Sequence, residues 1–132
     1  MIKNRIEIRV RYSETDQMGF VYYGNYAQYF EVARVELFRS LGISYKSLEE
    51  NGIWMPVLNF NIQYRKPAVY DDLLSIDVSI VKIQGSRIIF DYRVYNEEEK
   101  LLNEAQTTLV FMSAVTKRPI RCPKELLDKV GL

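Results

Sequence analysis

The residues with chemistry in them cluster between Tyr12 and Phe30, in YSETDQMGFVYYGNYAQYF. Asp16 stands between an alternating run and a helical one, and the helical run starts near Gly24 and Asn25. Backbone N–H groups at a helix N-terminus have no intrahelical acceptor and attract developing negative charge. Gly24 lets a substrate come close to the backbone there. A carbonyl docked at that point meets a polarising helix end on one side and the Asp16 carboxylate on the other. Asp16 also has a purely structural alternative, closing a turn ahead of Gly19 through its side-chain oxygen.

The rest of the composition narrows the chemistry by exclusion. With no histidine in the chain there is no Ser-His-Asp or Cys-His pair and no His-containing zinc site. General acid–base work then falls to carboxylates, Tyr or Lys. Neither GxxxxGK[ST] nor GxGxxG occurs, which removes the usual support for nucleoside triphosphate or dinucleotide chemistry. The single Cys122 makes no internal disulfide and no multi-cysteine centre, and no metal and no cofactor are expected. Eighteen Lys and Arg against 17 Asp and Glu give a formal charge of +1, which leaves no electrostatic footprint for nucleic acid. No apolar run approaches the ~20 residues that span a bilayer, and MIKNRIEIRV alternates where a leader would be continuously apolar. The expectation is a cytoplasmic protein without membrane insertion, folded as one domain over residues 1–132.

Elements must hold those residues in place. From Arg5 to Tyr12, Ile6, Ile8, Val10 and Tyr12 alternate with charged residues, the pattern of a half-buried strand. Tyr26, Tyr29, Phe30, Ala33, Leu37 and Leu41 recur at helical spacing, with Asn25 as the N-cap and Gly42 just past the end. Val32, Val35 and Phe38 fall outside that stripe, so burial on several sides is expected. A short helical segment near Tyr45–Asn51 precedes an alternating run from Leu58 to Tyr64. Two more strands flank a hairpin at Gln84, Gly85 and Ser86, with a bulge near Val81 and Ile83. A polar turn at Asn96–Lys100 leads to a last strand, Asn103–Met112, that closes the sheet. An exposed tail carrying Cys122 follows, with a terminal helix near Lys124–Val130. The order predicts an α+β domain, an antiparallel sheet joined mostly by hairpins and packed on one long helix. Glu31 and Arg34 are expected to pair along that helix.

Taken together, RYSETDQMGFVYYGNYAQYFEVARVELF, QYRKPAVYDDLLSI and FMSAVTKRPIRCP resemble the hotdog-fold acyl-CoA thioesterases of the 4-hydroxybenzoyl-CoA thioesterase type, including the small bacterial enzymes encoded beside the Tol-Pal envelope system. The resemblance covers nearly the whole chain and is strongest from Tyr12 to Arg39. It implies a curved five-stranded antiparallel sheet wrapped around the long helix. It also implies a homodimer or homotetramer with active sites at the dimer interface, and an acyl-CoA substrate with CoA entering only as part of it. Asp16 would be the catalytic carboxylate, as nucleophile or general base; the Tyr23 backbone N–H, with Gly24 beside it, would hold the thioester oxygen. Gly19, Val21, Tyr22, Asn25 and Tyr26 would surround the substrate, and Arg65, Lys117 and Arg118 would meet the CoA phosphates. Lys66, Lys82 and Arg87 are further phosphate candidates, and Tyr12, Tyr29 and Tyr64 candidates for the acyl pocket. Many members of the Tol-Pal branch carry His where this chain has Tyr23, so the role of that His does not transfer. Hydrolysis of acyl carrier protein thioesters and non-catalytic acyl-CoA binding are the alternatives. A dehydratase of the same fold is disfavoured by the missing histidine.

Overall fold

Alternation of charged and apolar residues does set the first strand, β1 (Ile2–Arg9), whose burial follows the sequence residue by residue. The computed structural model describes residues 2–131; Met1 and Leu132, the ends of the expected domain, lie outside the described residues. β1 stops three residues short of Tyr12. Tyr12–Glu14 is a single 3-10 turn with the Tyr12 ring exposed, not the end of a buried strand face. Glu14 is the cause: its carboxylate accepts the Arg11 N–H at 2.8 Å, and its own N–H donates to the Arg11 carbonyl at 3.0 Å.

Helix α1 (Asn25–Ser40) is about 24 Å long at 1.5 Å per residue. It buries the expected Tyr26, Tyr29, Phe30, Ala33 and Leu37, and Phe38 with them, while Val32 stays exposed. Gly24, not Asn25, is the N-cap, because the Asn25 amide is spent on the Glu14 carbonyl at 2.7 Å. At the other end Gly42 sits at φ +80, and its N–H donates to the Arg39 carbonyl. Arg34 does not pair with Glu31. Its guanidinium is buried and donates to the Tyr92 hydroxyl at 3.0 Å, which shares a 2.6 Å hydrogen bond with Thr107.

The remaining elements are α2 (Tyr45–Glu50), β2 (Ile53–Trp54), β3 (Val57–Tyr64), β4 (Leu73–Gln84), β5 (Arg87–Tyr95), β6 (Leu101–Val110), β7 (Met112–Ser113) and α3 (Lys124–Val130). The main sheet is antiparallel in the order β1-β4-β5-β6-β3. Hairpins join β4, β5 and β6 as expected, and the register shifts between Ile80 and Lys82, where the phase slip at Val81 predicts it. β3 departs from the expected chain of hairpins by crossing to pair with β6. β6 is therefore an inner strand that ends at Val110, and Met112–Ser113 pairs with Ile53–Trp54 in a separate two-stranded ladder.

Inward rows from β4 (Leu74, Ile76, Val78, Ile80) and β5 (Ile88, Phe90, Tyr92, Val94) are buried. The rings of Phe30 and Tyr92 stand 4.3 Å apart and those of Phe38 and Phe90 5.9 Å, which locks α1 to the sheet. β3 is the exception, with Leu58, Phe60 and Tyr64 all exposed on an edge. The tail expected in solvent packs down: Leu126, Val130 and Cys122 are buried, and the Cys122 N–H donates to the Gly85 carbonyl at 3.0 Å. Among the described residues no helix is long and apolar enough to cross a membrane.

Candidate active site

The segment from Thr15 to Val21 is a small closed loop pinned by one side chain. The Asp16 N–H donates to the Phe20 carbonyl at 2.7 Å, and the Gly19 N–H donates back to the Asp16 carbonyl at 3.0 Å. Gly19 takes φ +83, a left-handed conformation that suits glycine. Asp16 Oδ1 accepts the N–H groups of Met18 at 2.9 Å and Phe20 at 3.2 Å. Asp16 thus does close the turn, as its structural reading says, but with one oxygen; Oδ2 accepts no hydrogen bond among the described residues.

Glu14 ties this loop to the start of α1. Its carbonyl accepts the Tyr22 N–H at 2.9 Å and the Asn25 side-chain amide, and its buried carboxylate accepts the Tyr29 hydroxyl at 2.9 Å. Burial and then this hydrogen bond raise the Tyr29 pKa well above the usual phenol value. The Asn25 and Tyr26 N–H groups turn back to the Tyr22 and Tyr23 carbonyls, whereas those of Tyr23 and Gly24 meet no acceptor among the described residues. One carboxylate oxygen and two amides are the open polar groups of this corner.

Asp16 and Tyr23, though not Gly24, border a cleft of about 330 Å³ between the loop, the first turn of α1 and the end of β3. Of the expected residues, Asp16, Val21, Tyr23, Tyr26 and Arg65 line it together, with Tyr64 and Lys66. Gly19 and Asn25 do not line it; Gly19 sits in the Asp16 turn, and Asn25 is tied to the Glu14 carbonyl. Tyr22 lies outside, its ring against Tyr23 with centroids 4.7 Å apart. It also fills the space over Gly24, where a Cβ would lie 2.7 Å from a Tyr22 ring carbon; the open approach expected at that glycine is occupied by an aromatic ring. Tyr12 is exposed away from the cleft, and Tyr29 is held by Glu14. Within one chain Lys117 and Arg118 are not brought to the cleft. Lys117 stacks its ammonium 3.9 Å from the Trp54 ring, and Arg118 accepts the Ser113 N–H, both beside the β2–β7 ladder.

At the rim, Arg65 donates to Glu104 at 2.7 Å, which holds that carboxyl below its usual range. Lys66 has no ion pair among the described residues. Sequence reading missed Met18, Phe20 and Pro67 as cleft walls, and Glu14 as the anchor. The signal that would have found the first two is a pair of large apolar residues, Met18 and Phe20, flanking a turn glycine, where a polar loop is the rule. No cluster of three His, Cys, Asp or Glu among the described residues could hold a metal.

The sequence pattern of the thioesterase-like superfamily matches residues 10–130. An acyl-CoA thioester hydrolase of Escherichia coli is 32% identical over 123 residues, which is 93% of this chain and 92% of that one. An acyl-CoA thioesterase of Haemophilus influenzae is 31% identical over 90% of this chain and 88% of its own. The crystal structure of a DHNA-CoA thioesterase from Staphylococcus aureus superposes with a TM-score of 0.89 at 37% identity, over 98% of this chain and 83% of that one.

Proposed function

This chain belongs to the thioesterase-like superfamily and has its hotdog fold, and from that premise we propose that it hydrolyses acyl-CoA thioesters to a free carboxylic acid and CoA. The observation that carries the reading is that Asp16 and Tyr23 line one cleft, while one Asp16 oxygen and the Tyr23 N–H have no hydrogen-bond partner among the described residues. A thioester carbonyl bound there gains negative charge on its oxygen as the carbon is attacked. The Tyr23 amide, with that of Gly24 behind it, meets this charge at a helix N-terminus. Asp16 either adds to the carbon itself or takes the proton of the water that does. Collapse of the tetrahedral species breaks the carbon–sulfur bond and expels CoA thiolate. On the water route the proton held by Asp16 passes to that thiolate. On the nucleophilic route an acyl–Asp16 anhydride remains, which water hydrolyses to the free acid and the Asp16 carboxylate while the water's other proton goes to the thiolate. Two hydrogen bonds to Oδ1 fix the carboxylate so that Oδ2 meets the carbon without a rotamer search. The cytoplasmic location expected from the sequence stays part of the proposal.

The reading includes a second copy of the chain. β3 offers an open edge with exposed Leu58, Phe60 and Tyr64, and such edges are normally covered or paired. Antiparallel pairing of β3 with β3 of a second copy brings the Val57 end of one strand to the Tyr64 end of the other. At roughly 3.3 Å per residue, the eight-residue strand separates those ends by about 23 Å within one chain. The Lys117–Arg118 end of the second copy would then approach the Asp16 cleft, which supports a phosphate role for residues that a single chain keeps remote. Sedimentation of the intact protein reads this directly, as twice or four times the 15.6 kDa chain mass.

Release of free thiol from short, medium, long and aromatic acyl-CoAs, with wild type and Asp16→Asn side by side, tests the reaction. The expected result is turnover by the wild type that drops by orders of magnitude in the variant. Turnover confined to carrier-protein thioesters would redirect the substrate assignment. Binding of acyl-CoA without any turnover would end the hydrolase reading.

A further inference from the structure

Arg34, about two turns beyond Tyr26 on α1, is a buried charge for which hydrolysis has no use. Only 5% of its surface is exposed. An arginine has five N–H donors, and among the described residues this one makes a single hydrogen bond, from Nη1 to the Tyr92 hydroxyl at 3.0 Å. Its Nε is sealed from solvent and has no partner there. No carboxylate among the described residues pairs with it either, since the ion pair within α1 joins Arg39 to Glu36. A guanidinium keeps its charge when buried, and an ion held out of water without a counter-ion is strongly destabilising.

The same side chain walls a cavity of about 160 Å³ between α1 and β3. Thr107, the cross-strand neighbour of Phe60, stands on the wall with it. Opposite in character are Phe30 and Phe60, whose ring centroids are 5.8 Å apart. No residue lines both this cavity and the Asp16 cleft. The Thr107 and Tyr92 hydroxyls share one 2.6 Å hydrogen bond, and whichever of them donates, one of their two protons is left without an acceptor among the described residues. The cavity thus sets a cation and a hydroxyl against aromatic carbon, the outline of a carboxylate with a small apolar body. Carboxylate oxygens match the donor fork of a guanidinium. At about 30 Å³ for a water-sized group, the volume takes roughly five non-hydrogen atoms, as many as propionate has. Glu31 also lines the cavity, from the exposed side of α1. Its charge opposes an anion there, weakly, because water screens it.

We propose that this cavity binds a short-chain carboxylate of about two to four carbons, its head group on Arg34 and Thr107 and its carbon body on Phe30 and Phe60. The site is separate from the Asp16 cleft and stands without the thioesterase reading. Under that reading, the acid released from a short acyl group is a ligand of this class.

The test is titration calorimetry on the intact protein with propionate and with propionamide, its neutral counterpart, at constant ionic strength. The wild type should bind propionate about tenfold or more tightly than propionamide, because the guanidinium answers charge. Arg34→Met, which exchanges the buried charge for an apolar chain the fold should tolerate, should weaken propionate about tenfold or more. Glu31→Gln, on the surface, should tighten it about two- to fivefold, and Asp16→Asn should leave it unchanged. Equal affinity for the two compounds overturns the proposal, as does propionate binding that Arg34→Met leaves intact. A dissociation constant that moves with Asp16→Asn and not with Glu31→Gln puts the ligand in the Asp16 cleft and overturns it too. Loss with Arg34→Met but no response to Glu31→Gln keeps the site and removes Glu31 from it. If Arg34→Met does not fold, the amide comparison and the two carboxylate variants decide. If a side chain of a second copy already meets Arg34, no propionate binds and the proposal falls. Turnover enters none of these readings, so failure of the hydrolase assignment and failure of this site are told apart.

Discussion

The stretch from Arg11 to Asn25 and the β4–β5–β6 ladder use the same backbone groups in opposite ways. In the ladder, strand pairs strand from Ser75↔Tyr95 to Arg87↔Val110, and the inward side chains fill the space against α1. In the loop, the chain bonds to itself through Glu14 and Asp16, and the Tyr23 and Gly24 amides and one carboxylate oxygen find no partner among the described residues. A closed hydrogen-bond inventory yields stability, and an open one next to a cleft yields reactivity. The two regions should therefore fail on different axes when they are damaged.

The largest effects test that separation directly. Phe90→Ala removes a fully buried ring that touches both Phe38 and Tyr92. It should cost about 3–5 kcal/mol of unfolding free energy, read from urea midpoints, while turnover per folded molecule stays within about twofold. Asp16→Asn should do the reverse. Asn keeps the oxygen that accepts the Met18 and Phe20 amides, so the midpoint should move by no more than about 0.5 kcal/mol. Turnover should fall about 100- to 10,000-fold, the share a positioned carboxylate commonly contributes. A variant in which both quantities collapse together would show that the loop is part of the folding core, and the comparison would be lost.

The closed region also carries a pH signature. Burial pushes the Cys122 thiol up to about 11, whereas an unfolded chain ionises near 8.5. Folding thus favours the protonated form. The contribution is fully present below the unfolded value and is lost as pH climbs through the folded one, because the unfolded state releases its proton first. Between roughly pH 8.5 and 11 the wild type should lose on the order of 2–3 kcal/mol relative to Cys122→Ala. Comparing the two cancels the tyrosines that also begin to titrate there. Parallel stability curves for wild type and variant would mean that the thiol is not sealed under the tail.

The same division decides what could be read from the sequence. Strand alternation at β1, β4 and β5, the phase slip at Val81 and the stripe along α1 all follow from side chains that have only one core to face. Pairing of β3 with β6 was not legible, because alternation fixes which face is buried and says nothing about the neighbour. Alternation also assigned Tyr12 to a strand that Glu14 ends, since a carboxylate accepting an N–H three residues back leaves no periodic trace. At the site, the type and spacing of Asp16 and the helix start were visible. Of the pocket tyrosines named with them, the fold brings Tyr64 to the cleft and not Tyr12, Tyr22 or Tyr29, and Lys117 and Arg118, grouped with them by resemblance, lie elsewhere in the single chain.

The smallest effect concerns the point where the two regions meet. Gly24 has φ −63 and ψ −24, ordinary helical values, so its lack of a side chain is not a backbone requirement. An added Cβ would meet Tyr22 Cε2 at 2.7 Å, and Tyr22 is 47% exposed, so its ring can swing outward at little cost. Alanine is a poorer N-cap than glycine, by roughly 0.5–1 kcal/mol, but at the helical φ and ψ of Gly24 it saves a similar amount of backbone entropy. Gly24→Ala should therefore shift stability by less than about 0.5 kcal/mol. Because the Tyr22 ring leans on that of Tyr23, moving it should disturb the cleft wall and lower turnover less than about fivefold, a rise of no more than about 1 kcal/mol in the barrier. In a Tyr22→Ala background the same substitution should cost nothing further, since the clash partner is gone. A KM rise beyond tenfold that persists in that background would mean that substrate, not Tyr22, needs the space. The glycine would then belong with Asp16 among the groups the fold leaves open for a ligand.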